Sequence, residues 1–287
     1  MKTISVLGTG WLGLPLCQEL VSQGFVVKGS TRSVERNSLL ADNNIQPFNI
    51  DLAVNSFQAD DFLNADILIV NIPFKEAHAF STLVEQVAAS SISKVIFISS
   101  TSVYGDKEGL VCEHDENLTS HPLLDIEVLF TSNTHFSTTV LRFAGLIGPK
   151  RNPALFFKNN RSVKSPDYLV NMIHQQDCIN IISLIIKQQA WGKIYNGCAE
   201  THPSKRAFYT HTATISGVPI PKFETEIKNE LESDIESDKE SKIENASATI
   251  GNESCTGKVI SNHKVKTELG YQFVYPDLLN LNAEALT

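Results

Sequence analysis

The chain has 287 residues, enough for one large domain or a domain with a smaller lobe. Its composition, 42% hydrophobic and 20% charged, is that of a globular protein with a sizeable core. A formal net charge of −8 repels nucleic-acid phosphates and anionic lipid, so neither is expected as a partner, though it leaves room for a local basic pocket.

Met1-Lys2 runs straight into a strand-like segment, so no signal peptide is expected. The longest apolar runs, such as Ile181-Ile182-Ser183-Leu184-Ile185-Ile186, fall far short of the roughly 20 residues that span a bilayer. The cysteines Cys17, Cys112, Cys178, Cys198 and Cys255 are scattered and contain no CxxC pair. Reduced thiols and a cytoplasmic location are the expectation.

In chain order, Thr3–Leu7 reads as a strand followed by glycine-rich residues, then a helical stretch from about Trp11 to Gln23. Phe25-Val26-Val27 reads as a second strand and Ile67–Val70 as another. Phe80, Leu83, Val84, Val87 and Ala88 recur at helical spacing. Val95–Ile98 is a strand ending in a Ser/Thr cluster, and Thr139-Val140-Leu141 begins one more. Strands alternating with helices of this length imply parallel βαβ units. The fold expectation is therefore α/β, a Rossmann doubly wound parallel sheet with a smaller C-terminal substrate lobe. Residues 1–150 would form the dinucleotide domain, with 171–199 adding to it, and 151–170 with 200–287 the lobe.

In the second half, Cys178, Ile179, Ile181, Ile182, Ile185 and Ile186 line one helix face, with Asp177 near the positive end of the helix dipole. Lys193–Asn196 reads as a strand, Lys205–Ile215 as a helix, and Lys264–Leu269 as a short helix with Gly270 as its stop. Within the lobe, residues 224–245 form an acidic insertion with nine acids against three lysines, a net −6. Such a segment buries too little apolar surface to offset its ordering entropy, so a solvated surface insertion is expected. A docking site for a basic partner is the alternative.

Gly8-Thr9-Gly10-Trp11-Leu12-Gly13 is a GxGxxG placed between a predicted strand and a predicted helix, the context in which the pattern holds a pyrophosphate. Gly8 suits the tight turn, Gly10 lets the backbone approach the anion, and Gly13 lets helix and strand pack closely. An NAD site usually has an acid about 20 residues on, to bond the ribose 2′-hydroxyl. Here the second strand leads into Gly29-Ser30-Thr31-Arg32-Ser33, with no acid before Glu35. Thr31 and Arg32, with Arg36 one turn further, suit a 2′-phosphate, so NADP(H) is favoured, with NAD left open; the alternative for Arg32 is a solvated surface charge or a stack on the adenine.

These motifs line up with Phe97-Ile98-Ser99-Ser100-Thr101-Ser102-Val103-Tyr104-Gly105, with Leu141-Arg142-Phe143-Ala144-Gly145-Leu146-Ile147-Gly148-Pro149, and with Val170-Asn171-Met172-Ile173-His174-Gln175-Gln176-Asp177. The set resembles the extended short-chain dehydrogenase/reductase family, also called the NAD-dependent epimerase/dehydratase family, over nearly the whole chain. Trp11-Leu12-Gly13 with Pro15-Leu16, Thr101–Asp106, Ile194-Tyr195-Asn196, Phe208-Tyr209 and Tyr275-Pro276-Asp277 resemble its YeeZ-like branch most. The insertion has no counterpart there.

The resemblance implies a serine that bonds the substrate oxygen, a tyrosine as general acid/base, and a lysine four residues on that lowers the tyrosine pKa. Ser100 matches the serine, and Ser99 beside it is placed with the cofactor. The pair is missing: no tyrosine has a lysine four residues later, and Thr119 and Leu123 occupy the two places, counted back from Glu127. Tyr104 and His174 are the substitute candidates. The alternatives are a Tyr104 packed beside the nicotinamide and a His174 that is structural near a helix start. Lys107 follows Gly105-Asp106, so it shares no helix face with Tyr104. Asp51-Leu52 resembles the family segment beside the adenine, with a surface turn as the alternative. Asn71-Ile72-Pro73 ends the fourth strand, where cofactor contacts are expected. No His or Cys pair has metal-ligand spacing, so no metal site is expected. The implied activity is that of an NAD(P)-dependent oxidoreductase or epimerase-like enzyme acting on an unidentified small molecule, with a non-catalytic dinucleotide sensor as the alternative.

Overall fold

The computed structural model describes residues 1–54, 60–73, 76–115, 121–157, 161–224 and 256–287. The chain runs β1 (Thr3–Leu7), α1 (Gly13–Ser22), β2 (Val26–Thr31), α2 (Asn37–Asp42), β3 (Ile45–Asn49), α3 (Asp60–Leu63), β4 (Ile67–Val70), α4 (Ala77–Ala88) and β5 (Lys94–Ser100). There follow β6 (Gly109–Val111), α5 (Pro122–Thr131), β7 (Ser137–Phe143), β8 (Gly145–Ile147), β9 (Met172–His174), α6 (Gln175–Gln188) and β10 (Ile194–Gly197). Last come α7 (Lys205–Ile215), β11 (Lys258–Ile260) and α8 (His263–Leu269).

Seven strands form one sheet in the order β10-β7-β5-β4-β1-β2-β3, and every pairing in it is parallel. The chain leaves β1 in one direction and returns at β4 to build in the other. That reversal opens a crevice at the carboxyl ends of β1 and β4, where ligands of open α/β sheets sit. The central strands are apolar on both faces because helices cover both. All four residues of β4 are buried. One face packs against α1 and α6, with Leu16, Leu20, Ile181, Ile182 and Ile185 fully covered. The other packs against α4 and α5, where the rings of Phe80, Phe97 and Phe130 meet at 5.1–6.1 Å. A third apolar cluster joins Ile147, Val163 and Val170 to Phe208, Tyr209, Phe223 and the C-terminal Leu278–Leu286 stretch.

Most elements lie near the expected places, with shifted ends. Helix α1 begins at Gly13 rather than near Trp11, and β2 extends four residues past Val27. β3 was not read from the sequence. Its IQPFN pattern carries Pro47, which is tolerated because β3 is the sheet edge. α5 was also missed. It starts with Pro122 after the His121 cap, which suits a first helical turn. α8 ends at Gly270 in the left-handed region, φ 64°. The insertion beyond Glu224, and also Thr119 and Cys255, lie outside the described residues.

Candidate dinucleotide cleft and catalytic neighbourhood

The turn after β1 is built by three glycines that differ in kind. Gly8 has φ +102°, and a Cβ there would lie 2.4 Å from the Asn71 carbonyl oxygen. A Cβ on Gly13 would lie 2.0 Å from the Gly8 carbonyl oxygen. Both are demanded by the packing of the protein itself. Gly10 is not: a Cβ there would meet nothing within 4 Å among the described residues. Ser30 stitches the turn to β2, since its hydroxyl accepts the Gly8 N–H at 2.9 Å and its carbonyl accepts the Thr9 hydroxyl at 2.8 Å. The Asn71 amide donates to the Gly8 carbonyl at 3.1 Å, which ties the end of β4 to the same turn.

A cavity of about 550 Å³ opens at this point. It is lined by the sequence candidates Gly8, Thr9, Gly10, Thr31, Arg32, Arg36, Asp51, Leu52, Asn71, Ile72 and Pro73. Leu7, Ser30, Ser33 and Ile50 also line it and were missed. Their signal was available: the serines flank Thr31-Arg32 at a strand end, and Ile50 precedes Asp51. Four candidates do not line it. The Trp11 indole donates to the Pro149 carbonyl, and its ring lies beneath Arg151. Leu12 is buried in the core, and Gly13 is packed on Gly8. The Ser99 side chain is turned away, its hydroxyl donating to Glu127 at 2.5 Å.

Arg32 is exposed at the rim. Arg36 donates from Nη2 to the Thr9 carbonyl at 2.9 Å, while its Nε is buried without a partner among the described residues. The Thr31 hydroxyl accepts the Ser33 N–H at 3.2 Å. The Ser33 hydroxyl donates to Glu35, which holds that exposed carboxyl below its ordinary range. Asp51 caps a turn by accepting the Ala53 N–H.

Two of the three catalytic candidates are placed differently from the expectation. Tyr104 closes the 3-10 turn Thr101–Tyr104 and is wholly buried. Its hydroxyl donates to Asn196 Oδ1 at 2.7 Å and accepts from Arg142 at 3.0 Å, so it does not face the cleft. Burial pushes its pKa up, although Arg142 pulls it down. Arg142 in turn pairs with Glu127 at 2.7 Å, both side chains being 4% exposed. His174 is also spent. Its Nδ1 accepts the Gln176 N–H, its Nε2 donates to the Ala285 carbonyl at 2.7 Å, and burial lowers its pKa. It is a helix cap for α6, not a free base. Ser100 ends β5, half-buried, its hydroxyl accepting the Ser102 N–H at 3.1 Å.

Nearby residues complete the neighbourhood. Leu123 is buried in the first turn of α5. Lys107 pairs with Asp115 at 2.8 Å. Lys258, not singled out in the sequence, donates to the carbonyls of Thr101 and Gly105 and pins the serine turn. His121 caps α5 and was likewise passed over. Asp177 accepts from the Tyr271 hydroxyl and from the N–H groups of Val274 and Tyr275, which tethers the C-terminal segment. A second cavity, about 570 Å³, is lined by Phe156, Phe157, Tyr209, Arg161, Lys164 and Lys205 among others. Among the described residues no group of three or more His, Cys, Asp or Glu side chains is placed to hold a metal ion. No helix among them is long and apolar enough to cross a membrane.

The parallel sheet, its switch point and the glycine turn define a Rossmann-like α/β protein. The chain is similar in structure to UDP-glucuronic acid 4-epimerase of Bacillus cereus in complex with NAD (TM-score 0.72, 18% identity, 99% of this chain and 97% of that one). It is also similar to a conserved protein of unknown function from Silicibacter pomeroyi (TM-score 0.75, 20% identity, 97% and 96%). No family model matches the chain. Protein YeeZ of Escherichia coli K12 is 30% identical to it, over 99% of this chain and 100% of the relative, and the chain belongs to the YeeZ family.

Proposed function

We propose that the cleft at the β1–β4 switch point binds NADP(H) and that the protein is an oxidoreductase or epimerase-like enzyme. Gly10 carries this reading. Nothing among the described residues requires glycine there, and a side chain would extend away from them beside the turn, where a pyrophosphate would lie. The backbone amides that lead into α1, from Trp11 to Gly13, supply the donors for that anion. Arg32 and Thr31 hold the 2′-phosphate, with Arg36 bracing the turn. Asp51 and Leu52 lie along the adenosine half, and Asn71, Ile72 and Pro73 along its inner wall. When bound, the nicotinamide gives or takes a hydride. Ser100 orients the substrate oxygen and does not take its proton, because nothing adjacent makes a serine hydroxyl basic.

Residues 1–150 with 171–199 serve as the dinucleotide domain, and 151–170 with 200–287 as the substrate lobe. The second cavity lies among lobe residues, and its Arg161, Lys164 and Lys205 beside three aromatic rings favour an anionic substrate with a flat ring. A nucleotide sugar has that chemistry, and UDP-glucuronic acid is the substrate named for the Bacillus cereus neighbour. A cytoplasmic location suits the cofactor and the scattered cysteines. The second reading is a non-catalytic sensor, favoured by one observation: Tyr104 and His174 are both committed to internal hydrogen bonds. Titrating NADPH and NADH by fluorescence tests the cofactor. NADPH should bind more tightly, and Arg32→Ala should erase most of the difference. Tighter NADH binding, unchanged by Arg32→Ala, contradicts it.

A further inference from the structure

The turn that follows β8 is docked on the glycine turn after β1. Gly148-Pro149-Lys150-Arg151 closes with the Arg151 N–H on the Gly148 carbonyl at 2.9 Å. It meets Trp11, the residue after Gly10, whose indole N–H donates to the Pro149 carbonyl at 2.5 Å. Gln175, buried at the start of α6, donates to the Trp11 carbonyl at 2.7 Å. The Arg151 guanidinium lies over the Trp11 ring, 5.5 Å from its centroid. Lys150 is left-handed, with φ 61°. Proline followed by a left-handed residue is the type II pattern, which favours glycine in the second place, so a lysine there is strained. Both cations are exposed, and neither side chain has a hydrogen bond or ion pair among the described residues. Strain held with no internal contact to offset it points to a residue kept for a function. Two adjacent cations thus stand at the lip of the glycine turn, in a chain of net charge −8.

We infer that Arg151 and Lys150 bind the pyrophosphate of the dinucleotide, gripping it from the side of the β8 turn. This rests on the proposed dinucleotide reading. In that reading the pyrophosphate lies on the backbone amides from Trp11 to Gly13, and Arg151 covers the ring of Trp11 itself. Each phosphate of the bridge carries a negative charge, whereas backbone N–H groups supply only partial positive ones. A guanidinium offers a forked pair of donors to phosphate oxygens, and an ammonium offers a point charge. Cation–π attraction to an exposed ring is weak, so the Arg151 arm can leave Trp11 for the anion. Pro149 and Gln175 hold Trp11 by its indole and its carbonyl, which keeps the amides and the cations at one spacing. The charges divide the cofactor between them. Arg32 reads the 2′-phosphate that NADPH alone carries, and Lys150 with Arg151 grips the bridge that NADPH and NADH share.

Calorimetric titration of the full-length protein with NADPH, NADH and ADP-ribose tests this, because ADP-ribose has the pyrophosphate without the nicotinamide. Arg151→Gln should weaken all three by about tenfold, the loss expected for one hydrogen bond to a charged group. Its melting temperature should stay within about 2 °C, since the residue is exposed. Lys150→Gly removes the second cation and suits the left-handed turn. It should weaken all three by about threefold or more, with a melting temperature that holds or rises. Arg32→Ala, in contrast, should weaken NADPH alone. Unchanged affinities in Arg151→Gln or in Lys150→Gly overturn the assignment. So does a loss confined to NADPH, which would put the cations on the 2′-phosphate. So does a loss for NADPH and NADH that spares ADP-ribose, which would put them on the nicotinamide half. Each of these results leaves the cofactor reading standing. A wild-type protein that binds none of the three overturns both.

Discussion

The Tyr104 hydroxyl donates to Asn196 Oδ1 at 2.7 Å across 92 residues of sequence, and accepts from Arg142 on its other side. The serine turn after β5 is thereby locked to β7 and β10 beneath it. Tyr104→Phe removes a bond to a charged group and should cost about 2 kcal/mol of stability. NADPH affinity should be unchanged. Urea unfolding and NADPH titration check the two halves. Lost cofactor affinity with unchanged stability would put Tyr104 in the cleft after all.

Glu127 and Arg142 form a buried pair that also holds Ser99. Glu127→Ala leaves a buried guanidinium unpaired and should cost about 3–5 kcal/mol. A loss below about 1 kcal/mol in chemical denaturation would mean that the pair is open to water.

His174 and His202 both have pKa values lowered mainly by burial. Their folded values lie below the unfolded value of about 6.5. Their contribution to stability is therefore present above pH 6.5 and lost as pH falls through the folded values. Asp177 runs the other way: burial raises its pKa, so its contribution is lost as pH rises above the ordinary carboxylate value and through the raised one. Urea midpoints should fall from pH 7 to pH 5. His174→Asn, which retains a capping oxygen, should flatten that fall. An unchanged slope in the variant would assign the acid sensitivity elsewhere.

Gly13→Ala places a methyl 2.0 Å from the Gly8 carbonyl, and backbone must move to admit it. The melting temperature should drop by about 5 °C or more, since a clash of this kind costs 1–3 kcal/mol. A variant with wild-type melting would show that α1 sits further from β1.

Local patterns were legible because their physics is local. Gly8, Gly10 and Gly13 have fixed spacing on one turn, and the apolar runs of β1, β4 and α6 declare their periods. β3 was hidden because Pro47 argues against a strand until the strand is known to be an edge. Tyr104 was misdirected because a short 3-10 turn rotates its ring into the core, and residue spacing does not report that rotation. The Ser30 hydroxyl reaches the Gly8 N–H across 22 residues, a contact that only the assembled sheet brings together.

On the proposed reading, Gly10 is glycine for the sake of a ligand. NADPH titration of Gly10→Ala, alongside its melting curve, tests this most directly. No atom of the described residues lies within 4 Å of the added Cβ, so the melting temperature should stay within about 2 °C of wild type. NADPH affinity should fall about tenfold or more, which corresponds to about 1.4 kcal/mol. Wild-type affinity in Gly10→Ala, with folding intact, would contradict the placement of the pyrophosphate on this turn.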